Sequence, residues 1–141
     1  MRGVILCSML VLLVTGTSFG KIHSWKGAVH LCAVPFIATT GIYSDVWILH
    51  DAQQTGTKAG AITNLSLLGV QTALGATILF TSDDLPPAVR LIHRIVGASV
   101  IATGLWLSIE GSLDKGVPKT ARYSDYAHTV FAAAPLILFT F

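Results

Sequence analysis

Charged side chains are scarce in this chain: Asp, Glu, Lys and Arg together make up 11% of its 141 residues, against 52% hydrophobic ones. An ordinary soluble domain is about a quarter charged, so this composition, with a mean hydropathy of +0.69, excludes that class and fits an all-α integral membrane protein. The net charge of +2 is spread through short loops. Without a basic patch, nothing here would hold a nucleic acid. Cysteine is almost missing as well. Cys7 and Cys32 both sit in apolar runs, and no C-x-x-C-H occurs, which excludes a disulfide framework and a c-type haem attachment.

What remains is a series of long apolar stretches. The first, Met1 to Gly20, has Arg2, an apolar run from Val4 to Val14 and small residues before Gly20. It reads as a signal peptide or, uncleaved, a signal anchor. In either case Lys21 lies across the membrane from Arg2. Residues 21–141 then read as a four-helix transmembrane bundle in a multi-pass protein of a bacterial inner membrane or an organellar membrane such as the thylakoid. Helix A spans Ser24 to Trp47, with Trp25 and Trp47 at the interfaces and Pro35 as a kink. Helix B spans Ala59 to Thr81 and carries Asn64, Ser66, Gln71 and Thr72, which suits packing against other helices. Pro86 and Pro87 restart the chain as helix C, which ends near Glu110-Gly111, and helix D runs from Ser124 to Phe141. Lys58, Lys115, Lys119 and Arg122 fall on the side of Arg2, opposite Lys21, Lys26 and Arg90, in the positive-inside sense.

Helices A and C share a pattern. His30 is followed eleven residues later by Gly41 and His93 by Gly104, each glycine preceded by an Ile-Ala-Thr stretch. Helices B and D share Ile-Leu-Phe-Thr near their ends, Ile78 to Thr81 and Ile137 to Thr140, so the bundle reads as two repeated hairpins. A and C start on the same face, which puts His30 and His93 level, roughly 9 Å in at ~1.5 Å per residue. An ionisable side chain at that depth is a functional hypothesis by default. Two imidazoles facing each other from two helices are suited to the axial positions of a b-type haem, with Gly27 and Gly97 leaving room beside them. Three other readings stay open: hydrogen bonding of either His to a neighbouring helix, a zinc or copper site, and a cofactor-free structural or assembly subunit of a membrane complex. The metal site lacks a further carboxylate or thiol, since Cys32 is on another face of helix A.

His128, about one turn inside helix D, and His50, at the end of helix A, are the candidates for a second haem. Helix B has no His, and Gly69 stands at the position matching His128. Arg94 and Lys26 are placed to pair haem propionates or to snorkel. His23 reads as interfacial. Two His ligands would close both axial positions, leaving single-electron transfer rather than oxygen chemistry, with a redox partner protein, a larger complex or a quinone as the other party.

His93-Arg94-Ile95-Val96-Gly97, Lys115-Gly116 with Ala121-Arg122-Tyr123, and Ala127-His128-Thr129 resemble motifs of the cytochrome b-561 superfamily, especially its small four-helix members in cyanobacteria and plastids. The resemblance covers roughly residues 24 to 141. It implies one haem between the first and third helices, hence His30 with His93, and another between the second and fourth, where His128 lacks its usual partner. A lesser similarity, His93-Arg94 alone, is to the haem- and quinone-associated membrane anchors of succinate dehydrogenase, without their Ser three residues before the His.

Overall fold

The computed structural model describes residues 25–81 and 85–140. The leader, His23 and the stretch 82–84 lie outside the described residues. Four helices follow in order, α1 (Trp25–Asp51), α2 (Thr55–Phe80), α3 (Pro87–Leu113) and α4 (Lys119–Thr140), and the described residues contain no strand. Each helix packs on its sequence neighbour, and α4 closes the ring with its most extensive contact, on α1. The result is a bundle joined by the short connections 52–54, 81–86 and 114–118.

Three of the helices, α1 from Ala28, α2 and α3, are long and apolar enough to cross a membrane. The described part of α4 is not among them. Its first two turns carry Lys119, Arg122 and Asp125.

Helix ends differ from the sequence reading in an instructive way. α1 continues past Trp47 to Asp51, so His50 is in its last turn, and α2 starts at Thr55 rather than Ala59. Gln54 caps α2 with no side-chain bond of its own. The cap comes instead from Asp114, whose carboxylate accepts the Gln53 and Gln54 amides at 2.8–3.2 Å and the Gly116 amide at 2.9 Å. No local pattern could reveal a cap supplied from another loop. α4 likewise begins at Lys119, just after Pro118, five residues before the expected Ser124. Arg122 makes this early start possible by donating to the carbonyls of Ser112, Asp114 and Val117. At Gly116 a Cβ would collide with the Asp51 carbonyl oxygen, so the two loops meet only over a glycine.

Ile48, Ala52, Ala61, Leu107, Val117 and Ala121 form an apolar plug at this end. Deeper in, the interior is unusually polar, with Ser44, Asp45, Asn64, Asp125 and His128 all buried. The outer surface reverses the pattern: Phe36, Ile62, Val70, Leu91, Ile95, Leu105, Trp106 and Ile109 are exposed. A bundle with polar groups inside and large apolar groups outside suits a hydrocarbon surrounding better than water.

Candidate functional site

Two storeys of polar side chains occupy the bundle interior. In the first, His30 from α1 and His93 from α3 meet edge-on, with ring centroids 6.1 Å apart and planes at 85°. Both rings are partly buried. α2 supplies the surroundings of His93. Gln71 sets its amide nitrogen 3.3 Å from His93 Nε2, and the ring lies so close to Gly75 that a Cβ there would be 3.3 Å from His93 Cε1. Gly97, expected to give a cofactor room beside His93, instead gives room to Gln71: a Cβ at 97 would stand 2.9 Å from the Gln71 amide nitrogen. Among the described residues, His93 Nδ1 and Gln71 Oε1 are buried without a hydrogen-bond partner.

The second storey is built around Asn64 of α2. Its amide nitrogen donates to Asp45 Oδ2 of α1 at 2.9 Å and reaches His128 Nε2 of α4 at 3.4 Å, while its oxygen accepts from the Thr103 hydroxyl of α3 at 2.7 Å. One side chain thus joins all four helices. His128 Nδ1 lies 2.8 Å from the Ile37 carbonyl oxygen, which can only accept, so Nδ1 carries the proton and Nε2 offers its lone pair to Asn64. Close by, the Ser108 hydroxyl donates to Asp125 Oδ2 at 2.6 Å.

The glycines of the repeated interval find their place here. A Cβ on Gly41 would come within 2.6 Å of His128 Nδ1, and one on Gly104 within 2.5 Å of Thr129 Oγ1 and 3.7 Å of His128 Cδ2. The same interval therefore does two things on α1 and α3. It sets two histidines together at one level and opens a berth for α4 at the next.

The remaining sequence candidates lie elsewhere. His50 has a side chain 76% exposed, pairs with Asp51 at 2.5 Å and stands edge-on to Trp47, whereas His128 turns inward to Ile37 and Asn64. The structure does not bring these two together. Arg94 is exposed beside His93, and Lys26 falls in the first turn of α1, in the stretch whose side chains are not described. Cys32 is exposed, and the described residues contain no cluster of three or more His, Cys, Asp or Glu suited to a metal ion. Asp45, Asn64, Gln71 and Thr103 carry the polar interior. Their one signal in the sequence is a polar residue on an otherwise apolar helix.

Comparison with protein-family models, with curated proteins and with solved structures finds no match for this chain. The residues on which the expected b-561 resemblance rested have structural work of their own here. Gly116 lets two loops touch, Ala121 fills the plug and Arg122 ties three loop carbonyls.

Proposed function

We propose that this chain is a multi-pass membrane cytochrome whose four helices, arranged as two repeated hairpins, hold one b-type haem between His30 and His93 and pass single electrons to or from a redox partner or a quinone. The observation that carries this reading is the 6.1 Å between the two imidazole centroids. A metal–imidazole bond is about 2 Å and the ring centre lies about 1 Å behind the nitrogen, so two axial ligands of one metal have centroids roughly 6 Å apart. His93 Nδ1 and Gln71 Oε1 are both buried and unpartnered, a second point of fit: with the Gln71 amide turned over, Oε1 would accept from His93 Nε2–H and leave the Nδ1 lone pair for the metal. Bound there, the haem would supply a one-electron couple. The chain's own part is to hold two neutral imidazoles opposite each other, keep water from them and orient His93 through Gln71.

A cofactor-free subunit that packs or assembles a larger membrane complex is the second reading, favoured by the Gln71 amide at His93 Nε2. In it the histidine is simply a hydrogen-bonded core residue. The visible spectrum of the purified, detergent-solubilised protein separates the two. A reduced six-coordinate haem gives a narrow α band, which the first reading requires. Protein expressed under haem-replete conditions with no such band would overturn it.

A further inference from the structure

The second storey has a gap in its hydrogen bonding that a single proton fills. Asp45 and Asp125 are both buried, at 0% and 1% exposure, and each is bonded through Oδ2 only, to Asn64 and to Ser108 respectively. In each, Oδ1 is buried with no hydrogen-bond partner among the described residues. They stand on α1 and α4, the most extensively packed pair of helices, and Asn64, the partner of Asp45, also reaches His128, one turn beyond Asp125 on α4. The groups facing them do not offer a positive charge. α2 contributes Asn64, and α3 contributes Thr103 and Ser108, none of which titrates. α4 adds His128, which is neutral with its proton on Nδ1, and neither acid has an ion-pair partner among the described residues. The apolar plug closes the cluster off from the loops at that end.

Two bare carboxylates in such a place are untenable. An isolated buried carboxylate costs so much that it takes up a proton instead, and two like charges side by side cannot both stay ionised. We propose that Asp45 and Asp125 form a proton-binding site, holding one proton between their free Oδ1 atoms, directly or across one water. With that proton in place every bond in the cluster has a donor and an acceptor. Thr103 donates to Asn64; Asn64 donates to His128 and to Asp45 Oδ2; one Oδ1 donates to the other; and Ser108 donates to Asp125 Oδ2. The proton comes from solvent, no electron moves, and its loss would leave two adjacent negative charges. The site does not depend on a haem at the other storey.

Infrared spectroscopy of the full-length protein in detergent micelles, at neutral pH in H2O and in D2O, tests the proposal. The wild type is expected to show a protonated-carboxyl C=O band that shifts in D2O. Asp45→Asn and Asp125→Asn should each shift or remove that band, the double variant should lack it, and Glu110→Gln, an acid of α3 outside the cluster, should leave it in place. Absence of the band from the wild type, a measurement that needs no variant to fold, overturns the proposal. So does a band unmoved by both Asp substitutions. A missing haem would be read from the visible spectrum and leaves this result unaffected.

Discussion

The rings of His30 and His93 stand 6.1 Å apart, their planes at 85°, although their helices, α1 and α3, are not neighbours around the bundle. The pair therefore spans the middle of the helix assembly, with α2 behind it through Gln71 and Gly75. Polar groups set diagonally across an apolar bundle are costly unless they are satisfied, so the proposed function rests on the pair rather than on either histidine alone.

The ligand reading predicts that His30→Ala and His93→Ala each remove the haem or leave it five-coordinate in the absorption spectrum. His50→Ala, at the exposed end of α1, should leave the spectrum unchanged. An unaltered six-coordinate spectrum in both of the first two variants would show that the iron is held elsewhere.

The berth for α4 predicts an order of stabilities. Gly41→Ala pushes a methyl group into the rigid His128 ring, held by hydrogen bonds at both nitrogens, and should cost about 1–3 kcal/mol, the usual range for overpacking. Gly104→Ala meets a threonine hydroxyl that one side-chain rotation moves aside, and should cost less. Thermal unfolding of the two variants in one detergent checks the order, and equal or reversed losses would count against it.

Asn64→Leu should be among the most damaging single changes in the interior. It keeps the volume roughly constant while leaving Asp45 Oδ2 and His128 Nε2 without their donor and Thr103 without its acceptor there. A buried polar group left unsatisfied costs about 1–3 kcal/mol, so the expected loss is on the order of several kcal/mol. Asn64→Asp, which retains an acceptor for Thr103, should lose less at acid pH, where the new carboxyl carries a donatable proton.

The gross architecture was legible because it depends on apolar length and on a repeated interval. Long runs give helices, and His-to-Gly spacing of eleven on A and C puts two histidines level. The second half of that interval carries no role that the sequence alone could assign. Gly41 and Gly104 serve α4, a role that exists only once the fourth helix is in place. Helix ends were missed for a related reason. The starts of α2 and α4 are set by Asp114 and Arg122 acting across loops far apart in the chain, and no local propensity reports such partners. Asn64 and Gln71 stood out as polar residues on an apolar helix, but their partners on three other helices could not be read from one dimension.

Asp114 yields the prediction with a definite pH dependence. Burial alone would raise its carboxyl, but the backbone amides of Gln54, Gln53 and Gly116 outweigh that and hold it below its ordinary value of 3.8. A carboxyl whose folded-state pKa is depressed adds stability that is fully present above the unfolded value and is lost as pH falls through the folded one. Asp114→Ala removes the α2 cap and the tie between the 52–54 and 114–118 loops together. Charge-assisted bonds and a helix cap each contribute on the order of 1–2 kcal/mol, and the site's place among solvent-facing loops argues for the lower end, so a loss of about 2 kcal/mol at neutral pH is expected. The difference in unfolding free energy between wild type and Asp114→Ala should stay constant from neutral pH down to about pH 5 and shrink below about pH 4 as the wild-type carboxyl takes its proton. Asp114→Asn, with one acceptor oxygen in place of two, should fall between them. Chemical denaturation across that pH range is the measurement, and a gap that persists unchanged into strong acid would mean that Asp114 acts through packing rather than through its charge.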